Sequence, residues 1–454
     1  MIAHLWEACC AYYNFDKEAD FTADLLSKTV NLWHEYEDPV LEFHLRQENP
    51  SLLEFMFDVH RAQLELQYHP GHVHLGRSIC FARLVDSLLP DQETPNQFKI
   101  AVEILCTLWA GFEKRSTGIP RGELLNILRR MGYAESSATA ILSQCSRSVE
   151  QFGSEYRRRL KDAPRPTLWR QMVPQLVDGP IAESGGVLYV PHPPLLFRWL
   201  AEKYFLDASV GGNRKLKIAF GKAWELYIKQ LLGQLVGAEN VFDLNQVDET
   251  ESEKADFLAL SGQTAIVVEC KFTTLRCDYI SKAAVFGSTA VNDVVNGVGQ
   301  TISSAERLSE ICKRVGREPS AVKNVLRLVV AFGEIPGINS PDFWSEYLLP
   351  QLEKRSFTVT RIDAQPTRPQ VLCALAFEGF VALCSSAKAD PYALVQERVN
   401  SNYHVTGDWR QFMRARIEAA GGCSWQFWND ESNALLTGLV DRMRKGGLEP
   451  KSAS

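Results

Sequence analysis

The apolar positions in the second half of the chain change their period several times. A stripe at helical spacing runs from Leu216 to about Leu235 and predicts an amphipathic helix. Two short apolar runs follow at 254–260 and 264–272, joined by a Ser-Gly-Gln turn, and they predict a β-hairpin. A second helical stripe at 291–305 and another apolar run at 325–332 complete the order helix, strand, strand, helix, strand.

The first half of the chain has the pattern of a mainly helical region. Residues 1–110 are predicted to form helices, the last of them from Phe98 to Phe112. At 117–150 two short helices are predicted on either side of a turn at Gly132. A hairpin is predicted around Gly185-Gly186. Helix, turn, helix and hairpin together form the outline of a winged helix.

These patterns predict three domains. The first is a helical domain, 1–110, and the second is a winged-helix-like segment, 111–205. The third is an α/β domain with C-terminal helices, 206–454, entered through a linker that begins at Asp207. Charge changes at the first boundary, because 111–170 holds twelve Lys or Arg against six Asp or Glu.

The bulk composition is that of an ordinary folded protein. The 454 residues are 45% hydrophobic and 23% charged, and the net charge of -6 gives no overall signal for nucleic acid or membrane. The eleven cysteines contain no C-x-x-C pair, which argues against a zinc ribbon and fits a reducing compartment. No signal peptide or membrane-spanning stretch is evident, so we expect a cytoplasmic protein with no membrane segment.

Charged residues end the apolar strand at 264–272. Side chains alternate faces along a strand, so Glu269 and Lys271 share one face. Asp256 lies near the start of the preceding strand, and the hairpin register brings it opposite Glu269. Two converging carboxylates repel each other unless a proton or a cation intervenes. Their hard oxygen ligands suit Mg²⁺ or Mn²⁺.

Two flanking helices each contribute one polar residue to this pattern. Glu225 lies on the flank of the first helix, and Gln300 lies in the second. Helix with Glu, strand with Asp, strand with Glu-x-Lys, helix with Gln and a final strand resembles the PD-(D/E)xK nuclease superfamily. The resemblance covers about 215–335 and extends to about 385, and it implies the restriction-endonuclease-like fold, a mixed sheet flanked by helices. Ala255 stands where that family nominally has Pro.

The resemblance implies roles for these residues. Asp256 and Glu269, helped by Glu225, would bind Mg²⁺ or Mn²⁺, and Lys271 would orient the attacking water and offset charge on the phosphate. Gln300 would support the site. The implied activity is hydrolysis of phosphodiester bonds by an endonuclease, with DNA the expected substrate. Relatives of this kind suggest a role in bacterial antiviral defence or mobile-element biology, as a homodimer or with a partner protein.

Other interpretations of the same residues remain open. Glu-x-Lys alone is a weak motif and also fits a cross-strand ion pair in a non-catalytic nucleic-acid-binding or adaptor protein. RNA cleavage is a further alternative, since nothing in the sequence reports on the 2′-OH. Arg129, Arg130 and the basic run 157–161 fit either phosphate contacts or ordinary solvated helix faces.

Overall fold

The structure is a computed structural model of the 454-residue chain. It describes residues 72–89, 96–113, 118–162, 175–212, 214–247, 253–274, 288–335, 337–357, 368–401 and 409–448. The helices in these ranges are α1 His72–Ser87, α2 Gln97–Glu113, α3 Arg121–Arg130, α4 Glu135–Cys145, α5 Val149–Asp162, α6 Pro193–Arg198, α7 Tyr204–Gly211, α8 Arg214–Val236, α9 Leu244–Val247, α10 Thr289–Glu306, α11 Leu308–Arg314, α12 Pro341–Phe343, α13 Leu349–Glu353, α14 Ala374–Ala387, α15 Pro391–Asn400, α16 Trp409–Ala419 and α17 Gln426–Lys445. The strands are β1 Ile119–Pro120, β2 Ser146–Ser148, β3 Ile181–Ser184, β4 Val187–Tyr189, β5 Val241–Asp243, β6 Phe257–Ser261, β7 Thr264–Lys271, β8 Asn324–Ala331 and β9 Gln370–Cys373.

The chain is mostly helical with two small mixed sheets, and it divides into two compact units. The first unit draws on Met1–Asp86, Asp91–Asp207 and Phe427–Ser454, and the second on Ser87–Pro90 and Ala208–Gln426. The helices predicted within residues 1–71 lie outside the described ranges. No helix in the described ranges is long and apolar enough to cross a membrane.

The first unit contains a four-stranded sheet of short strands in the order β1-β4-β3-β2. Strands β3 and β4 form the predicted hairpin, and their turn uses Gly185 and Gly186 at φ 55° and 75°, angles that L-residues with a side chain rarely adopt. The predicted pair of helices is confirmed as α3 and α4. Gly132 at φ 89° ends the first of them.

The predicted linker after Asp207 is wrong in its first part, because α7 continues to Gly211. Buried Tyr204 and Phe205 hold the start of this helix against its unit, and Lys203 pairs with Asp207 at 2.9 Å one turn later. The short sequence after Asp207, which contains two glycines, predicts a linker and not a helix. Packing of the preceding turn carries the helix through it instead.

The second unit is built on a five-stranded mixed sheet in the order β5-β6-β7-β8-β9. Strands β5, β6 and β7 are antiparallel neighbours, and β7, β8 and β9 run parallel. The predicted hairpin and the predicted final strand are both confirmed, whereas the three-residue β5 was not predicted. Every residue of β7 except Lys271 is buried, as expected for a strand covered on both faces.

Helices cover both faces of this sheet. By the alternation of side chains, Glu269 and Lys271 lie on the face that α10 covers, because a Cβ at Gly297 would approach both of them. On the other face α8 supplies Trp224, whose ring contacts Phe332 and whose indole N–H donates to the Val330 carbonyl at 3.1 Å. The confirmed helices α8 and α10 therefore hold the sheet between them.

The start of β7 contributes to a hydrophobic cluster, which we call the apolar end of the sheet. Leu258 of β6 and Ala265 and Val267 of β7 pack there with buried side chains of α11, among them Ile311. The ends of β7 and β8 lie at the other edge, some 23 Å away for seven steps of ~3.3 Å along a strand. Ligands of open sheets commonly bind beyond the carboxyl ends of parallel strands.

The outer strand β9 has its backbone partly covered by a side chain. The amide of buried Asn339 donates from Nδ2 to the Val371 carbonyl at 2.7 Å and accepts from the Val371 N–H at 2.8 Å. One asparagine thus makes both hydrogen bonds that a neighbouring strand would make at this position.

Candidate active site

Asp256 and Glu269 meet because of the register of the β-hairpin. Phe257 pairs with Val268, so one further step along both chains brings Asp256 beside Glu269. The Asp256 N–H donates to the Val268 carbonyl at 3.1 Å, and the Cys270 N–H donates to Asp256 Oδ2 at 2.8 Å. The carboxylate of Asp256 is therefore fixed against the backbone of β7 at the position predicted from the sequence.

The segment before Asp256 is attached to α10 by a buried hydrogen bond. The Ala255 N–H donates to Ser304 Oγ at 2.8 Å, and both residues are fully buried. A proline has no N–H and could not make this bond. Alanine at position 255, where the resembling family nominally has proline, thus supplies the N–H that attaches the Asp256 segment to α10.

Lys271 connects the strand residues to α10. Its Nζ donates to Glu269 Oε1 at 2.6 Å and to Gln300 Oε1 at 2.9 Å. Gln300 in turn donates from Nε2 to the Lys254 carbonyl at 3.0 Å. The structure therefore brings Glu269, Lys271 and Gln300 into one hydrogen-bonded chain that ends two residues before Asp256.

Glu225 approaches the same cluster from α8, although it makes no hydrogen bond to the other acids. Its Oε2 accepts from Lys222 Nζ at 2.6 Å, one helical turn earlier. Burial raises the pKa of Glu225, and the negative charge of Asp256 raises it further. Lys222 was not identified from the sequence, although its i,i+3 spacing from Glu225 is a recognisable signal.

Burial and mutual repulsion dominate the electrostatics of the acids. Burial raises the pKa of Glu269 to about 8, with Asp256 contributing and Lys271 opposing the rise. Burial also raises the pKa of Asp256. Burial lowers the pKa of Lys271, but Glu269 and Asp256 outweigh it and the pKa ends above its usual value. Lys271 thus stays charged among acids that readily hold protons.

A glycine lets α10 approach these charged residues closely. A Cβ placed on Gly297 would lie 3.1 Å from Val329 Cγ1 and 3.2 Å from both Glu269 Cγ and Lys271 Cε. Such distances are tighter than ordinary van der Waals contact. The sequence interpretation passed over Gly297 and Ser304, although small residues inside an apolar helical stripe are a signal of close approach.

A further acid lies next to the cluster. Asp293 of α10 accepts a hydrogen bond from the Thr273 side chain and interacts with the charge of Lys271. Burial raises the pKa of Asp293, with Lys271 and Thr273 opposing the rise. This residue was not identified from the sequence.

Aromatic rings support the ends of β7 and β8 from the α8 side. Phe272 stacks on Phe220 at 5.3 Å and contacts Phe332 at 4.6 Å between ring centroids, and Phe332 meets Trp224 edge-on at 5.2 Å. These contacts fix the helix that carries Glu225 relative to the strands that carry Glu269 and Lys271.

The acids suit a divalent cation bound by two carboxylates. Within the described ranges, no group of three or more His, Cys, Asp or Glu side chains is arranged so that it could hold a metal ion. Glu269 Oε2 is buried without a hydrogen-bond partner, and the hairpin register places Glu269 opposite Asp256. Mg²⁺ is commonly held by one or two carboxylates, with waters and substrate phosphates as its other ligands. Asp256 and Glu269 fit that smaller ligand set, and Glu225 is instead hydrogen-bonded to Lys222.

The basic residues of the first unit have mainly structural partners. Arg130 donates to the carbonyls of Gly446 and Gly447, just after α17, and Arg129 donates to Asn126. Arg157 and Arg158 of α5 are exposed, and Arg158 pairs with Glu155. Arg130, one of the predicted phosphate contacts, thus caps carbonyls at the end of α17.

Comparisons of the whole chain with models of protein families, with curated proteins and with solved structures gave no match. The geometry of the site must therefore carry the functional argument.

Proposed function

We propose that the second unit is a metal-dependent nuclease domain of the PD-(D/E)xK type that hydrolyses phosphodiester bonds. One observation carries the proposal. Asp256 and Glu269 lie side by side at the ends of buried strands, and Lys271 is hydrogen-bonded to both Glu269 and Gln300. A buried cluster of charges is costly, so its presence at the carboxyl ends of parallel strands favours a functional site over a structural one.

The carboxylate of Asp256 and the unpartnered Oε2 of Glu269 would hold Mg²⁺ or Mn²⁺. The cation would polarise a scissile phosphate and lower the pKa of a bound water. The chain's own contribution is to fix the two carboxylates. The Cys270 N–H orients Asp256, and burial beneath α10 orients Glu269.

Lys271 would offset the negative charge that develops on the phosphate and orient the attacking water. Its ammonium is held in place by Gln300, which is itself bonded to the Lys254 backbone. Glu225 and Lys222 form the side of the site nearest α8, where Glu225 adds negative potential for the cation.

The order of elements supports the restriction-endonuclease-like interpretation of this unit. Helix α8, the β6–β7 hairpin, helix α10 and strand β8 follow the order of that fold, with Glu, Asp, Glu-x-Lys and Gln on the corresponding elements. The parallel strand β9 and the helix α14 follow in the stretch to about residue 385 over which the resemblance extends. Ala255 departs from the motif without loss of the Asp256 geometry.

We infer that the substrate is nucleic acid, with DNA the favoured class. In the first unit, β1 pairs with β4 of the hairpin and α3 and α4 lie between them in the chain, an order typical of winged helices. The exposed side chains of α4 include uncharged groups that can hydrogen-bond to base edges, namely Ser136, Thr139, Ser143 and Gln144. The added β2 and α5 are departures from the simplest winged helix.

A specific observation favours the non-catalytic alternative. Lys271 already pairs with Glu269 at 2.6 Å, as an ordinary ion pair would. That pair occupies only Oε1, and it leaves the buried Oε2 without a donor, which a purely structural pair has no reason to do. Calorimetric binding of Mn²⁺ by the wild type, lost in Asp256→Ala, would decide for the metal site.

The test of the proposal is cleavage of supercoiled plasmid, single-stranded DNA and RNA by the purified full-length chain with Mg²⁺ or Mn²⁺. We expect metal-dependent cutting that EDTA stops and that Glu269→Gln and Lys271→Ala strongly reduce. Glu310→Gln is a matched control, because this exposed carboxylate pairs with Arg314 on α11 at the apolar end. Failure of the wild type to cut any of the three substrates or to bind Mn²⁺ would contradict the proposal.

A further inference from the structure

One face of α8 carries a row of residues that leads to the candidate active site. Arg214, Ile218, Lys222, Glu225 and Lys229 follow one another at spacings of four, four, three and four residues, so they lie on one side of the helix. We call this row the α8 stripe. At 1.5 Å of rise per residue, it extends ~16 Å from Glu225 back to Arg214.

The approach to Glu225 along this helix is entirely basic. Residues 208–224 contain four Lys or Arg and no Asp or Glu. Arg214, Lys215 and Lys217 are exposed at the start of α8, and the Lys222 side chain is 43% exposed. The acids gathered around Glu225 thus have a positively charged approach on this side, which attracts a polyanion and guides it towards the cation site.

The same face is open and includes an apolar group. Ile218 is 61% exposed, and it is one of two exposed large hydrophobic residues in the described ranges. A Cβ on Gly221, one turn before Glu225, would meet no atom within 4 Å. A cationic row interrupted by an exposed apolar side chain suits a ligand with alternating phosphates and apolar sugar or base surfaces.

We propose that the α8 stripe binds the sugar–phosphate backbone of the nucleic-acid strand that is cut, with Arg214 and Lys229 contacting phosphates on either side of the scissile one. The partner follows from the proposed function, on which this inference rests. At ~3.4 Å of axial rise per nucleotide, the ~16 Å between Arg214 and Glu225 spans roughly five nucleotides. Ile218 lies between these phosphate contacts and packs against a sugar or base.

The test compares two double variants of the full-length protein. Arg214→Ala/Lys229→Ala removes two charges from the stripe, and neither residue is bonded to the site acids. Lys313→Ala/Lys323→Ala removes two exposed lysines from the apolar end, where Lys323 lies next to the β6–β7 turn. Binding of fluorescein-labelled single-stranded and duplex DNA and of RNA is measured by anisotropy in EDTA at several NaCl concentrations. Hydrolysis of bis(p-nitrophenyl) phosphate with Mn²⁺ reports on the site itself.

For the stripe variant we expect the magnitude of the slope of log affinity against log salt concentration to decrease by about 1.4–1.8, because two phosphate contacts are lost. At 0.1 M salt this corresponds to a loss of affinity on the order of 20- to 60-fold. The control variant keeps the wild-type slope, and both variants hydrolyse the small ester at the wild-type rate. Ile218→Ser lowers affinity without changing the slope.

The two proposals fail in distinguishable ways. Suppose that the wild type cuts DNA, and that the stripe variant keeps the wild-type salt slope or loses no more affinity than the control variant. That result overturns the proposal for the α8 stripe and leaves the nuclease proposal standing. A stripe variant that loses its slope in a protein that never cuts supports the stripe and overturns the nuclease. Binding of none of the three nucleic acids by the wild type overturns the stripe as well, and an acidic protein partner would then be the class to test.

Discussion

The two ends of strand β7 are made from the same backbone and carry opposite kinds of chemistry. At the apolar end, Ala265 and Val267 pack in a hydrophobic cluster with Leu258 and with the α11 residues around Ile311. At the other end, Glu269 and Lys271 are joined by hydrogen bonds to Gln300 and lie beside Asp256. The first arrangement lowers the free energy of the folded state, whereas the second brings like charges together at a cost.

Apolar packing and charged groups are thus separated along one strand. If the charged end exists for catalysis, its substitutions should lower activity while leaving stability equal or higher. Substitutions at the apolar end should do the reverse. Natural proteins commonly tolerate such local costs at functional sites.

The largest effect is expected for Glu269→Gln. Loss of one metal-binding oxygen should lower the cleavage rate by about 10²–10³-fold, the range seen when one group that stabilises charge is removed. The same change should leave the unfolding free energy unchanged or higher, because glutamine removes the cost of protonating this buried acid on folding. Plasmid cleavage and urea denaturation measure the two effects. A variant that is both active and less stable would break the comparison.

Ile311→Ala should have the opposite signature. Removing most of a buried isoleucine side chain at the apolar end should lower the unfolding free energy by about 2–5 kcal/mol. The cleavage rate measured well below the melting temperature should stay within about twofold of the wild type, since a rate loss of 1.4 kcal/mol would already be tenfold. A large rate loss in this variant would mean that the two ends are coupled.

The pH dependence of stability sharpens the comparison further. The pKa of Glu269 is about 8 in the folded protein, above its ordinary value of 4.5, so the folded state keeps a proton that the unfolded state has released. Between these two values the unfolding free energy should fall as pH rises, on the order of 1 kcal/mol per pH unit. Urea denaturation in EDTA at pH 5, 6, 7 and 8 measures this slope. Glu269→Gln should flatten it, and parallel slopes would contradict the assignment.

Ser304→Ala tests the attachment of the Asp256 segment. The buried Ala255 N–H would lose its acceptor, at a cost of about 1–3 kcal/mol in unfolding free energy. Cleavage should fall as well, because Asp256 is the next residue. Ser303→Ala, one position away and less buried, is the control for both thermal unfolding and cleavage. Equal effects of the two variants would remove the special role of this hydrogen bond.

Gly297→Ala should give the smallest change. The added methyl would press on Glu269 and Lys271 and should lower the cleavage rate by about tenfold, since small displacements of catalytic groups are costly. Gly438→Ala is the matched control, because its Cβ would meet no atom within 4 Å, and it should only stabilise α17 by up to ~1 kcal/mol. A stability loss without a rate loss at Gly297 would indicate a packing role alone.

Much of the second unit could be predicted because its signals are local. The apolar run of β7, its turn at Gly262 and the two-residue period together fix which residues face each other, and that is enough to bring Asp256 beside Glu269. Likewise, Gly132 and the Gly185-Gly186 pair marked a helix end and a hairpin turn by a requirement for positive φ. In each case one short segment holds all the information.

The rest depends on contacts between segments far apart in the chain. The bond from Ala255 to Ser304 and the approach of Gly297 to Lys271 join elements through packing that no local pattern reports. The three-residue β5 is too short to show a period, and it forms because β6 offers it a free edge. The helix through Asp207 shows the same effect, since tertiary packing overrides a sequence that looks like a break.

The side chain of Asn339, which is hydrogen-bonded to strand β9, has a consequence for association between molecules. A strand at the border of a sheet offers unpaired amides to any other extended chain, which makes it a starting point for aggregation. Here Asn339 makes hydrogen bonds to both the N–H and the carbonyl of Val371, so these two groups are not available to a strand from another molecule. Asn339→Ala should therefore leave a border on which two copies of the chain can join sheets, and intermolecular β-structure would grow from this side.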